Sequence, residues 1–315
     1  MDSSFNKSGL VSKLKGVSVP MITPFTSSGA LDEAGFRKNI RFLLESGIIE
    51  GKGFLLVLGT TGEFSNLTRN ESYRIVEISV QEASGKVPLV VGANHSNIKD
   101  AIEFGQFASN MKVDALLVRP PYYWGVPSEE MVLRHYKEIA CQVDTGIVIY
   151  NRCLSNIVDL PLATIQKLAA IDKIVAIKDG TSDFRKFDHT VKAMQGKLSC
   201  INGFGELYEP YTLLMGSDGF VSCAANFIPK IALKLFEYAK MGQFEKAEKI
   251  HRQLLPLMDI LFSGTYGQFI EISKVAMQKN GLAGGPVRDP LPKAGEEKKT
   301  AVIRFIEQVE KLHDL

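Results

Sequence analysis

"IVAIKDG", residues Ile174 to Gly180, runs four apolar residues straight into a lysine, an aspartate and a glycine. The apolar residues are consecutive, not alternating. A run of this kind reads as a strand covered on both faces, as in a parallel sheet flanked by helices. Lysine carries a strongly hydrated charge and is almost never fully buried unless paired. Its place at the end of such a strand needs a reason.

Seven other segments share the pattern. They are "GVSVPMITP" (16–24), "GFLLVLG" (53–59), "VPLVVGA" (87–93), "DALLVRPP" (114–121), "GIVIYN" (146–151), "LSCING" (198–203) and "GFVSCAAN" (219–226). Helical periods lie between them. "LDEAGFRKNIRFLLESG" places Phe36, Ile40, Phe42, Leu43 and Leu44 largely on one face and stops at Gly47. "LTRNESYRIVEISVQEASG" opens with Thr68 and Glu71, the spacing of a capping box. Strand and helix alternate eight times, which predicts an α/β fold of the (β/α)8 TIM-barrel type. From about residue 233 only helical periods remain. The expected division is an extension over 1–15, a barrel over 16–232 and a C-terminal helical extension over 233–315.

Composition narrows the class. The chain has 315 residues, 45% hydrophobic and 23% charged, which suits a folded globular protein with a full core. Net charge is +2, from 37 basic and 35 acidic residues, so no nucleic-acid footprint or polybasic membrane patch is expected. No apolar run approaches the roughly 18 residues of a membrane span. The first sixteen residues, "MDSSFNKSGLVSKLKG", lack the apolar centre of a signal peptide. The four cysteines (Cys141, Cys153, Cys200 and Cys223) have no C-x-x-C spacing and read as small buried hydrophobes in a reducing compartment. The expectation is a cytoplasmic protein with no metal and no cofactor, acting on a small molecule.

In a barrel of this kind the chemistry lies at the C-terminal ends of the strands. There Lys178 fits a Schiff-base lysine, since a desolvated amine loses its preference for the charged form and can attack a ketone. Position alone favours a lysine snorkelling to solvent or paired with Asp179. "GTTGE" (59–63) brackets two hydroxyls with two glycines and could hold a carboxylate; it could also be a tight turn with a capping threonine. Tyr150 could relay a proton, or be a core tyrosine bonded to backbone. His95 could line the mouth. No H-E-x-x-H, G-x-S-x-G or G-x-G-x-x-G motif occurs.

Taken together, GTTGE, PYY, I-Y-N and I-K-D on successive strands resemble the class I aldolase family of dihydrodipicolinate synthase and N-acetylneuraminate lyase. The likeness runs from about Gly16 to Pro290 and includes "GEFSNLT" and "GPVRDPL". It implies that Lys178 forms an imine with pyruvate or a 2-keto acid. Tyr150 then passes protons, Thr60 joins that relay, and Thr61 with Gly59 holds the keto-acid carboxylate. It also implies that Tyr123 reaches a neighbouring subunit's site, in a homodimer or homotetramer. One segment departs from the family. The synthases of this family carry an arginine five residues after the tyrosine, where "YNRCLSN" has Ser155, and the usual proline is Cys153. A serine cannot offer a carboxylate a two-pronged fork. The expected substrate is therefore a 2-keto-3-deoxy sugar acid, as in the 2-keto-3-deoxygluconate aldolases, in a pocket shaped by Ser155 and Gly203. The alternative is 4-hydroxy-tetrahydrodipicolinate synthase, which condenses pyruvate with aspartate semialdehyde, or a related dehydratase.

Overall fold

The computed structural model describes residues 5–123, 125–152 and 159–309. Among them eight strands pair in parallel, each with the next, and the eighth closes on the first. They are β1 (Gly16–Pro20), β2 (Gly53–Val57), β3 (Leu89–Gly92), β4 (Ala115–Val118), β5 (Gly146–Arg152), β6 (Ile174–Gly180), β7 (Ser199–Asn202) and β8 (Gly219–Val221). Each falls in one of the eight apolar runs, β5 extending one residue beyond its own. The fold is a (β/α)8 barrel with a C-terminal helical part.

The helices α2 (Glu33–Glu45), α3 (Arg69–Ala83), α4 (Ile98–Asn110), α5 (Glu129–Gln142), α6 (Leu162–Ala169), α7 (Phe184–Met194), α8 (Tyr211–Leu214) and α9 (Pro229–Lys240) follow β1 to β8 in turn. The helix α1 (Lys7–Lys13) precedes β1, while α10 (Phe244–Phe262), α11 (Tyr266–Lys279) and α12 (Glu296–Val309) complete the chain. Local chemistry sets their starts. Thr68 and Glu71 form the capping box of α3, and Asp32 caps α2 by accepting from the Gly35 amide at 2.9 Å.

Two cores result from the two faces of the sheet. Outward residues such as Val57, Ile149 and Ile177 pack against the helices. Inward residues such as Leu56, Val90, Leu117, Val148 and Ile201 fill the barrel. Val11 of α1 and Leu14 join this inner set, so the chain before β1 packs against the barrel interior. Each such side chain contributes roughly 1.5–3 kcal/mol when fully buried.

One expectation is corrected. Cys200 and Cys223 are buried, but Cys141 is exposed. It lies on α5 away from the buried stripe of Val132, Tyr136 and Ile139, and its small apolar side chain costs little there. Cys153 lies outside the described residues. No helix among the described residues is long and apolar enough to cross a membrane.

Candidate active site

Side chains alternate across a strand, so Lys178 and Asp179 leave β6 on opposite faces. Asp179 faces the helix layer. Its carboxylate accepts from Asn151 Nδ2 at 2.8 Å and from the Thr181 amide at 3.1 Å, and burial raises its pKa to about 6. It is no partner for Lys178. The lysine instead points into the barrel, 8% exposed, directly opposite Tyr150 in the β5–β6 register. Its Nζ lies 4.6 Å from the centre of the Tyr150 ring.

Burial lowers the Lys178 pKa below the ordinary 10.5; the negative charge available on Tyr150 opposes the shift and Arg152 adds to it. For Tyr150 burial works upward. Lys178, Arg152, the hydrogen bond with Thr60 and Arg119 together outweigh it and bring the phenol down to about 8. The two groups favour each other's charged forms, so their titration belongs to the pair. An amine whose burial weakens its hold on the proton, beside a phenol able to exchange one, is the arrangement that imine chemistry needs.

The turn after β2 completes this wall. Thr60 Oγ1 lies 3.2 Å from the Tyr150 hydroxyl, and Thr61 lines the cavity. The turn's own bonds run from the amides of Gly62 and Glu63 back to Gly59 and Thr60. Glycine is required at 62, where a Cβ would lie 2.9 Å from the Met21 carbonyl oxygen. Glu63, at a φ of +55°, sends its carboxylate inward to Lys274 of α11, at 2.5 Å, with neither side chain exposed. The Arg288 amide donates to the same carboxylate at 3.0 Å, and Lys274 also donates to the Pro286 carbonyl at 2.7 Å. Desolvating such a pair offsets most of its attraction, so its main effect is positional. It fastens the threonine turn to the C-terminal helices.

The cavity above Lys178 has a volume of about 70 Å³. Of the residues named from the sequence, Thr61, Tyr150, Lys178 and Gly203 line it. A Cβ at Gly203 would lie 2.9 Å from the Asp179 carbonyl oxygen, so glycine lets the ends of β6 and β7 come together. Gly59 is buried at the base of the turn. Tyr123 is 70% exposed and is not part of this wall. His95 packs against Phe104, with ring centres 5.5 Å apart, and does not line the cavity. Ser155 lies outside the described residues.

Among the other residues that line the cavity, Glu206 and Tyr266 were not singled out in the sequence, and Arg152 stood there only as an arginine displaced by three residues from the family's position. Arg152, two residues beyond Tyr150 on the same face of β5, donates from Nη1 to Thr60 Oγ1 at 3.2 Å. Strand alternation is the signal that could have placed it. Tyr266, at the start of α11, lies under the Arg152 guanidinium, 4.4 Å from it, and burial raises its pKa to about 12. Glu206, after β7, is 3% exposed; burial raises its carboxyl to about 7 although the Ser222 hydroxyl donates to it. Neighbouring Glu209, raised by burial to about 8, bonds Asn202 at 3.2 Å and takes no part in the cavity wall.

Comparison with known proteins follows the same lines. A model of the dihydrodipicolinate synthetase family matches residues 13–309. The 4-hydroxy-tetrahydrodipicolinate synthase of Methanopyrus kandleri is 33% identical over 299 residues, 94% of this chain and 97% of that one. The crystal structure of dihydrodipicolinate synthase from Thermotoga maritima superposes with a TM-score of 0.86 at 29% identity, covering 95% of this chain and 100% of the other. A dihydrodipicolinate synthase variant described as monomeric superposes with a TM-score of 0.87 at 29% identity, covering 96% and 99%.

Proposed function

The chain belongs to the dihydrodipicolinate synthetase family of class I, lysine-imine carbon–carbon lyases, and from that premise we propose that it condenses pyruvate with an aldehyde at the cavity built on Lys178. The observation that carries this reading is one juxtaposition. The Lys178 amine is buried inside the barrel opposite Tyr150, whose hydroxyl meets Thr60 at 3.2 Å.

The steps follow from those groups. The neutral amine of Lys178 attacks the keto carbon of pyruvate; Tyr150 gives its phenolic proton to the departing hydroxyl, and loss of water leaves a protonated imine beside the Tyr150 phenolate. The imine draws electrons from the methyl carbon, which gives up a proton to the Tyr150 oxygen and becomes an enamine. The enamine carbon attacks the aldehyde carbon, and Tyr150 returns a proton to the oxygen that was the carbonyl. Water then hydrolyses the imine, which restores the neutral lysine and returns the released proton to Tyr150. Run backwards, the same groups cleave the bond. The hydroxyls of Thr60 and Thr61 and the amides of their turn hold the keto-acid carboxylate in this scheme.

Between the two substrates expected from the sequence, the relatives' names favour the synthase reaction, pyruvate with aspartate semialdehyde. Cleavage of a 2-keto-3-deoxy sugar acid keeps one observation in its favour. Glu206, with Ser222 donating to it, presents a carboxyl on the cavity wall that suits hydroxyl groups. Purified protein assayed in parallel is expected to condense pyruvate with aspartate semialdehyde at least about tenfold faster than it cleaves 2-keto-3-deoxygluconate, a gap of about 1.4 kcal/mol in barrier. The reverse ranking would overturn this choice of substrate.

The same proposal gives the exposed Tyr123 a place. It serves the site of a second copy of the chain in a dimer or tetramer. Sedimentation velocity should then show a species of at least twice the 34.7 kDa chain mass; a monomer at micromolar concentration would remove this part of the proposal.

A further inference from the structure

We propose that Arg119 is a positioning residue of the proton path, a fixed cation that stabilises the Tyr150 phenolate each time Tyr150 gives up its proton. The inference rests on the reading of Tyr150 as the acid/base beside the Lys178 imine and adds the group that holds its charge.

Placement is the first support. Val118 pairs with Ile149 in the β4–β5 register, and Arg119 and Tyr150 are the next residues along the two chains. Leu117 and Tyr150 both belong to the inner core, so alternation turns Arg119 to the side of Tyr150. Its guanidinium carbon lies 5.8 Å from the centre of the Tyr150 ring and 4.5 Å from that of Tyr122. Helix α5 braces this point of the chain. The Tyr136 hydroxyl donates to the Val118 carbonyl at 2.8 Å, and His135 hydrogen-bonds the backbone of Arg119.

The guanidinium also lacks a counter-ion. Among the described residues Arg119 pairs with no carboxylate, and its Nε is buried without a hydrogen-bond partner. Burial weakens its hold on its proton, and the negative charge available on Tyr150 is the foremost effect that opposes this. Its ionisable neighbours are Tyr150, Tyr122, Arg152 and Tyr136. Tyr136 needs its proton to donate to Val118. Tyr150 is the neighbour that the proposed reaction makes anionic.

The other cations acting on Tyr150 are Lys178 on β6 and Arg152 on β5; Thr60 and Tyr266 face it as hydroxyls. Lys178 becomes part of the substrate imine, and its charge disappears in the enamine. Arg152 lines the cavity, so its surroundings change as substrate enters. Arg119 does not line that cavity, and its charge acts on Tyr150 through every step.

The test is the pH profile of kcat, on the faster of the two reactions compared above, for the wild type, Arg119→Met and Arg119→Lys. Arg119→Met keeps an unbranched side chain without the charge. The ionisation near pH 8 should then move up by about one pH unit, and kcat at pH 7 should fall about tenfold. Pyruvate should still be captured to completion with borohydride, because the arginine that acts on Lys178 is Arg152. Arg119→Lys restores a cation and should keep the ionisation within about 0.3 pH unit of wild type. A residue that only packs would alter stability or kcat and leave the ionisation in place. An ionisation unmoved in Arg119→Met, or moved as far in Arg119→Lys, overturns the assignment. If Arg119→Met does not fold, Arg119→Lys decides: a profile at the wild-type position supports the proposal, and a rise of about one pH unit overturns it. A wild type that gives no pyruvate adduct is a different result, since there the functional reading itself fails.

Discussion

Lys178→Ala is expected to lower kcat/KM by at least about 10⁴-fold and to abolish covalent capture of pyruvate. The size follows from what is lost. No hydroxyl, carboxylate or water in the cavity can replace a nitrogen nucleophile that becomes an electron sink. Burial is what makes this lysine usable. An ordinary lysine at pH 7.5 is uncharged in only about one molecule in a thousand. Desolvation inside the barrel moves Lys178 toward the neutral form. The rate of imine formation should therefore rise with pH and level off below pH 10.5. Lys178→Arg is the companion variant, because it keeps a cation of similar length that cannot deprotonate. It should be as inactive as alanine. Turnover within a hundredfold of wild type in either variant would show that the lysine is not the nucleophile.

The second large effect is expected at Tyr150. Tyr150→Phe keeps the ring against Lys178 and removes the hydroxyl that meets Thr60 at 3.2 Å. Loss of a positioned acid/base typically costs about 10²–10⁴-fold, and that is the expected fall in kcat. The variant separates two roles. Tyr150 opposes the lowering of the Lys178 pKa, so its removal leaves the amine at least as neutral as before. Pyruvate should still be captured, though slowly, while turnover collapses. The wild-type profile should show an ionisation near pH 8, a property of the Lys178–Tyr150 pair, and the variant should lack it. Near-normal turnover, or an unchanged profile, would remove Tyr150 from the proton path.

The barrel was legible because its strands are continuous apolar runs, and eight of them alternating with helical periods suit a parallel sheet covered on both faces. Lys178, Tyr150 and the threonine turn were legible as residues at strand ends, and the resemblance tied them together. Position alone left Lys178 open to a pairing with Asp179. The β-strand alternation closes that option by sending Asp179 to Asn151 on the outer face. Residues arriving from a distance were not legible. Tyr266 enters from α11, and the Glu63–Lys274 pair joins a loop to a helix more than 200 residues later. No local period marks such contacts. Cys141 shows the opposite failure, since residue type suggested burial and the helix face decided otherwise.

Arg152 lies between these cases. It stands two residues after Tyr150, so alternation alone puts both on one face. The family's synthases have their arginine at the position of Ser155, three residues further on, and by that pattern Arg152 looks displaced. The fold instead places its guanidinium on the cavity wall, as a cation beside Lys178 and Tyr150.

The central claim is that Lys178 is the imine lysine, and one measurement addresses it without reference to the acceptor. Wild-type protein incubated with pyruvate and borohydride, digested and mapped by mass spectrometry, should carry one lactyl-sized addition on the peptide containing Lys178. No addition, or an addition on another lysine that persists in Lys178→Ala, would contradict the account.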